Sequence, residues 1–395
     1  MGRRTGSRKL TYLLFLLLFF VVGALVLRRF ADPQLRALSL LVQFSNPKSH
    51  TFLTQFSNHQ VREEDGSALT DQGSLRFRLY VPKDVSTPGG IVLVHGVHHL
   101  GIDDPRLQNL ARALAAAGVL VMTPEIQDLA DYRVTTQSIK TIGLSAVVLS
   151  ARMKRTVGVI GLSFAGGLAL LAVRDDDFAK HIGFVAAIGA HDDMARVSRF
   201  FATNTITEPD GREVRLQAHE YGVLVLAYAH LEDFFSAKDV PVAREALRQW
   251  LWEDPNAMKT AASLSPAGKA ELDELLHHRD LLKGPLLDEI ELHRDEMKTV
   301  SPHGQLANLS TQVFLLHGAG DTVIPATETE WLAHDVPHQR LSAVLVSPAL
   351  VHVDMGDKVT LKQKWDLVQF LADLLKATDN LPKEIAIPHL ERAGH

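Results

Sequence analysis

The segment Gly161-Leu162-Ser163-Phe164-Ala165-Gly166-Gly167 puts a serine where a short apolar run, Val157 to Ile160, gives way to a stretch of small residues. A buried strand passing through a tight turn into a helix is the setting in which a serine becomes a nucleophile. The turn lifts the hydroxyl above the sheet edge, and the positive end of the helix lies beneath the place where charge develops during acyl transfer. Such a turn demands small residues two before and two after the serine. Gly161 and Ala165 meet that demand, with alanine where the G-x-S-x-G pattern carries glycine.

A serine hydroxyl needs a base, and a neutral imidazole needs an acceptor on its second nitrogen to fix its tautomer. Asp321 sits in the loop His317-Gly318-Ala319-Gly320-Asp321 after the apolar run Val313 to Leu316, and His352 comes just after the run Ser342 to Val346. Ligands of an open α/β sheet bind beyond the carboxyl ends of its strands. Ser163, Asp321 and His352 are therefore expected at three strand ends, in the chain order nucleophile, acid, base. Asp192 and Asp193 follow another strand end and are the alternative source of the acid, whereas His334 and His338 read as surface residues on or near a helix.

His95-Gly96-Val97-His98-His99 follows the run Ile91 to Val94, where a backbone N–H completes an oxyanion hole in this kind of architecture. Val97 is the expected donor, paired with the N–H of Phe164. His95 is expected to pack behind the site, with His98 and His99 along its substrate-binding rim. These histidines with Asp103 and Asp104 match no metal-ligand spacing, and Glu291, His293 and Asp295, with His277 and His278, suit a solvated helix face. Neither a metal nor another cofactor is expected.

The elements that must position these residues alternate. Leu75, Phe77 and Leu79 have the two-residue period of a strand with one wet face, ended by Pro82. Ile91 to Val94, Val119 to Met122, Val157 to Ile160 and Ile182 to Ile188 read as strands buried on both faces, separated by helices from Asp104-Pro105 to Gly118, across Ile139 to Met153, and after Ser163 to about Val173. That order builds an α/β fold, a mostly parallel twisted sheet with helices on both faces. Residues 192–305 break the alternation with helical patterns at Ala243 to Trp252 and Ala270 to His278, and read as an inserted helical cap with one possible strand, Val223 to Ala227. The apolar stretch Tyr221 to Tyr228, with Phe234 and Phe235, suits either an acyl pocket or the cap's own core. The sheet pattern resumes at Val313 to Leu316, with a helix near Glu328 to Ala333, the strand Ser342 to Val346, and a helix over Lys358 to Lys376. The core is thus expected over 75–191 and 306–378, after a stalk at 32–74 and before a tail at 379–395.

Of 395 residues, 46% are hydrophobic and 22% charged, which suits a packed body and not a disordered chain. The formal net charge of -5 offers no field for nucleic acid, and 0 cysteines exclude disulfides, thiolate metal sites and a cysteine nucleophile. Leu10 to Leu27 is almost wholly apolar, between Arg3, Arg4, Arg8 and Lys9 on one side and Arg28 and Arg29 on the other. A spanning helix takes roughly 17–25 apolar residues, so 1–31 is expected to be an uncleaved single-pass membrane anchor, with the body extracytoplasmic.

His95-Gly96, Gly161 to Gly167, His317-Gly318 through Asp321 to Pro325, and His352 together resemble the α/β-hydrolase superfamily, over roughly Leu75 to Ile188 and Val313 to Lys376. Leu107 to Pro124 is similar to its esterase and dienelactone-hydrolase-like members. Dienelactone hydrolases proper use cysteine, and the dehalogenase and epoxide-hydrolase branches carry aspartate where this chain has Ser163. The resemblance therefore implies acyl chemistry: hydrolysis of a small-molecule carboxylic ester through acyl-Ser163. An acyltransferase, thioesterase or peptidase using the same residues is the alternative, as is a non-catalytic binding module on the same scaffold.

Overall fold

The computed structural model describes residues 32–350 and 359–382. Residues 32–45 form helix α1, followed by an antiparallel hairpin of Val61–Thr70 (β1) and Gly73–Pro82 (β2). Strand and helix then alternate through Gly90–Val94 (β3), Pro105–Ala116 (α2), Leu120–Pro124 (β4), Gln127–Ala130 (α3), Thr136–Met153 (α4), Val157–Leu162 (β5), Phe164–Ala172 (α5), Asp176–Ala179 (α6) and Ile182–Ile188 (β6). A helical stretch follows: Met194–Thr203 (α7), the small hairpin Thr205–Thr207 (β7) and Glu213–Arg215 (β8), Tyr221–Ala229 (α8), Leu231–Phe234 (α9), Val240–Leu251 (α10), Ala257–Ala261 (α11), Pro266–His277 (α12), Arg279–Leu292 (α13) and Arg294–Thr299 (α14). Gln312–Gly318 (β9), Thr327–Asp335 (α15), Leu341–Ser347 (β10) and Leu361–Asp379 (α16) return to the alternation.

The main sheet runs β1-β2-β4-β3-β5-β6-β9-β10, parallel from β4 to β10 and antiparallel at the β1-β2-β4 edge. Both faces are covered, which explains why β3 is an unbroken apolar run. Val92 and Val94 pack into one hydrophobic cluster with Leu168, Leu149 and Ile142, and Ile91 and Leu93 into another with Leu114, Leu371 and Phe314. Successive side chains of a strand point to opposite faces, so each of these strands feeds two cores at once. Helix α2 begins as its sequence predicts, with Asp104 accepting from the Arg106 N–H at 2.8 Å and Pro105 in the first turn. A third cluster, with Phe200, Leu224, Leu247 and Leu286 from the helical stretch, also takes in Tyr132, Phe164 and Ile324 from beside the sheet.

Three expectations are corrected. Residues 32–74 are no free stalk. Ala37 and Leu40 are buried, Arg36 pairs with Asp379 at 2.6 Å, and β1 pairs with β2 along its length. The charged, half-exposed pattern of an edge strand hides β1 from a search for apolar alternation. Val223–Ala227 belongs to helix α8 and not to a strand, because an apolar run buried on every side carries no period to tell the two apart. Beyond Asp379, Leu381 is buried and its carbonyl accepts from Arg155 Nη2 at 2.7 Å, so the packed body reaches past the expected boundary at 378. The expected anchor at 1–31 and residues 383–395 of the expected tail lie outside the described residues, among which no helix is long and apolar enough to cross a membrane.

Candidate active site

Ser163 stands between the end of β5 and the first residue of α5, at φ 55° and ψ -135°. That left-handed backbone is costly for a residue with a side chain, and it persists because its surroundings hold it. The Ser163 N–H donates to the Ile188 carbonyl at 2.7 Å, and the Ser163 carbonyl accepts from the Gly166 N–H at 2.9 Å. The Ser163 hydroxyl does not cap α5. Small neighbours are required: a Cβ on Gly161 would come within 2.4 Å of the Ala165 carbonyl oxygen. The methyl of Ala165, the departure from G-x-S-x-G, is fully buried in the core.

Asp321 lies in the loop after β9, two strands along from β5. Its Oδ1 accepts from the N–H groups of Val323 at 2.8 Å and Ile324 at 3.0 Å, which fixes the carboxylate in the loop. Its Oδ2 accepts no hydrogen bond among the described residues, and lies 3.7 Å from where a Cβ of Gly189 would be, at the end of the intervening strand β6. Strands two apart are separated by roughly 9–10 Å, too far for a serine and an aspartate to meet directly and the right gap for an imidazole between them. Among the described residues, His317 has its Nε2 3.8 Å from Oδ2. It is fully committed elsewhere: Nε2 donates to the Ile324 carbonyl at 2.8 Å, which leaves Nδ1 to accept from the Thr329 hydroxyl at 2.7 Å. Burial pushes His317 towards the neutral form.

His352, the expected base, falls in 351–358, outside the described residues. The chain enters that segment at the site. A Cβ on Gly318 would meet the Leu350 carbonyl oxygen at 2.2 Å, and Ala319 N–H donates to the Ser347 carbonyl at 3.1 Å, so the loop after β10 lies on the loop that carries Asp321.

Gly96 brings the β3 loop against the elbow, with its would-be Cβ 3.1 Å from Ser163 Cβ and 3.8 Å from Ser163 Oγ. Val97 is half-buried between the sheet core and the cap cluster. Neither the Val97 nor the Phe164 N–H donates a hydrogen bond among the described residues. His95 is 2% exposed and fully engaged: Nε2 accepts from the Ile126 N–H at 3.0 Å, which leaves Nδ1 to donate to the Gly96 carbonyl at 2.8 Å. Burial pushes it down to about 4, so it is neutral at ordinary pH. His95 thus braces the loop from behind, and its ring nitrogens are both occupied by the backbone. His98 and His99 stack on each other, and His99 stacks in turn on Trp252 of the cap, with ring centroids 5.7 Å apart.

The sequence marks Tyr221 to Tyr228 as apolar but gives no sign of the polar contacts through which the cap closes on this edge. Tyr221, the first residue of α8, lies close enough to Asp321 that burial, and then the carboxylate charge, hold its phenol protonated well above the usual range. The His219 N–H donates to the Thr322 carbonyl at 2.8 Å, tying the start of α8 to the acid loop. Tyr132 donates to the Leu251 carbonyl at 2.9 Å and Tyr228 to Asp131 Oδ1 at 3.0 Å. Each joins apolar bulk to one polar handle, and the handles cross between cap and sheet.

Asp192, the alternative acid, is occupied elsewhere. It is fully buried and pairs with Arg196 at 2.8 Å and His303 at 3.0 Å, while Arg196 also holds Glu328 at 2.6 Å. Burial pushes Asp192 up to about 7 against the pull of Arg196. The sharing of one guanidinium by two buried carboxylates makes this an internal brace between the β6–α7 loop and α15.

A mostly parallel sheet with a strained serine at the end of a central strand and a carboxylate two strands along has the form of the α/β-hydrolase fold. A solved structure agrees. The rice cell wall degrading esterase LipA from Xanthomonas oryzae is similar over 86% of this chain and 94% of that one, with a TM-score of 0.52 and 14% identity. An esterase from Pyrobaculum calidifontis is similar over 89% and 93%, with a TM-score of 0.44 and 16% identity. No family model matches the chain, and no curated protein matches it in sequence. The chain has the α/β-hydrolase fold.

Proposed function

We propose that the chain is a serine hydrolase that cleaves a small-molecule carboxylic ester through an acyl-Ser163 intermediate. The observation that carries this reading is the pairing of a serine held at positive φ, its hydroxyl free of any cap bond, with an Asp321 oxygen two strands away that accepts no hydrogen bond among the described residues. His352 is two residues beyond Leu350, within about 7 Å of chain, and is assigned to the gap between them.

In this reading His352 takes the Ser163 proton as Oγ bonds to the ester carbonyl carbon, and Asp321 Oδ2 accepts from the other imidazole nitrogen. The carbonyl oxygen becomes an oxyanion and is held by the N–H groups of Val97 and Phe164. Collapse breaks the bond to the alkoxy oxygen, which leaves as alcohol with the proton from His352. Water then attacks the acyl carbon with His352 again as base, and the acid departs as Ser163 recovers its proton. His98, His99 and Trp252 are assigned to the rim that the substrate passes. The apolar run flanked by basic residues at 10–27 supports a membrane tether for this body.

p-Nitrophenyl esters of graded acyl length test the reading. Turnover by the parent, abolished in Ser163→Ala and in His352→Ala, is expected; equal turnover by parent and Ser163→Ala contradicts it.

A further inference from the structure

The cap contains a second polar cluster that the proposed hydrolysis does not use. His230 lies between α8 and α9 with Asp233 three residues on, and Glu289 on α13 is followed four residues later by His293. Residues three and four apart share a helix face, so both pairs present two side chains to one point. Ligand atoms of all four lie within 4.8 Å of one another. His293 Nε2 is 2.9 Å from Asp233 Oδ2 and 3.3 Å from Glu289 Oε1, and His230 Nδ1 is 3.9 Å from the same Glu289 oxygen. The two imidazoles stack with centroids 3.6 Å apart.

Glu289 is 4% exposed, and its Oε1 accepts no hydrogen bond although both imidazoles face it. A buried carboxylate oxygen left so is costly unless something else satisfies it. Burial pushes the Glu289 carboxyl up to about 7 against the pull of His293.

We infer that His230, Asp233, Glu289 and His293 form a binding site for a divalent transition metal of the zinc type, pinning α8 and α9 to α13. Zinc takes four nitrogen, sulfur or oxygen ligands in a tetrahedron with bonds of about 2.0–2.2 Å, whose edges are about 3.3–3.6 Å. The separations of 2.9, 3.3 and 3.9 Å straddle that edge, and binding requires the two imidazoles to turn out of their stack so that both ring planes contain the ion. Two carboxylates with two neutral imidazoles neutralise a doubly charged ion. The second nitrogen of His293 already faces Glu296 Oε2 at 3.4 Å, the kind of carboxylate support that orients a ligating imidazole. With every position taken by protein the site is structural. It would hold the far end of α8, whose near end carries Tyr221 beside Asp321. In sequence, His293 read as part of a solvated face with Glu291 and Asp295. Its partners lie one turn back and on another helix.

The test is calorimetric titration of chelator-treated, full-length protein with zinc sulfate. The parent is expected to take up one zinc per chain, and Asp233→Asn and Glu289→Gln to weaken uptake by about 10²-fold or more. His303→Ala, in the separate Asp192 brace, is expected to match the parent. Asp233 is partly exposed, so its asparagine variant tests the site even if Glu289→Gln impairs folding. Saturating zinc is also expected to raise the thermal midpoint of the parent and not that of Asp233→Asn. Folded parent that binds no zinc, or an Asp233→Asn variant that binds it as tightly, overturns the inference.

Discussion

Ser163 and Ile188 are joined by a 2.7 Å hydrogen bond from the serine N–H to the isoleucine carbonyl. The bond ties the strained elbow to the end of β6, and the next residue, Gly189, faces Asp321 Oδ2. One strand end thus lies between Ser163 and Asp321.

Gly96 meets the same elbow from the loop after β3. An alanine there would press on Ser163 Cβ at 3.1 Å and on the Leu162 carbonyl oxygen at 3.4 Å, both part of the elbow. Displacing a nucleophile by a fraction of an ångström to 1 Å lowers rate steeply, and Gly96→Ala is expected to lose about 10–100-fold in kcat/KM. Steady-state kinetics beside a thermal melt check this: the melt should move little compared with the rate.

Asp321→Asn separates the structural from the chemical work of the carboxylate. An amide oxygen can replace Oδ1 and keep the N–H bonds of Val323 and Ile324, while the amide nitrogen in place of Oδ2 cannot accept from an imidazole. The expected result is a loss of about 10³–10⁴ in kcat with an unchanged circular dichroism spectrum. Asp321→Ala, which also loses the loop bonds, should be less stable than Asp321→Asn in urea.

His95 makes stability pH-dependent. Its folded-state value, about 4, lies below the 6.5 of the free side chain, and Asp104 and His98 are its charged or titratable neighbours. A depressed histidine leaves the unfolded chain with the greater proton uptake between the two values. Its contribution is therefore intact above 6.5 and lost as pH falls towards 4. The loss amounts to about 3 kcal/mol at its limit. Urea midpoints of the parent should fall more steeply over that range than those of His95→Gln.

Arg196 holds Asp192 and Glu328 together, and both carboxylates are buried. Removing the guanidinium leaves two buried carboxylates without the cation they share, so Arg196→Ala is expected to cost about 3–5 kcal/mol, measured by denaturant unfolding.

Much of this was legible in the chain because parallel strands buried on both faces announce themselves as unbroken apolar runs. Ile182–Ile188 matches its expected bounds, and β3, β5 and β9 differ from theirs by a residue or two at an end. The elbow was legible because positive φ at Ser163 forces small neighbours. β1 was not, because an edge strand written Val-Arg-Glu-Glu-Asp-Gly carries charge where pattern searching wants apolar alternation. α8 was ambiguous because it is apolar all round. The partner of His95, Ile126, and the cluster around Glu289 were invisible for a different reason: Ile126 and His230 are distant in sequence from His95 and Glu289 and meet them through tertiary packing.

The central claim is that Ser163 is an activated nucleophile. Incubation of the folded full-length protein with a fluorophosphonate probe, followed by mapping of the modified peptide, tests it most directly. Stoichiometric labelling at Ser163, absent from Ser163→Ala, is the predicted result. A parent that turns over p-nitrophenyl esters while its labelling falls on another residue, or that is labelled as fast as Ser163→Ala, contradicts the account.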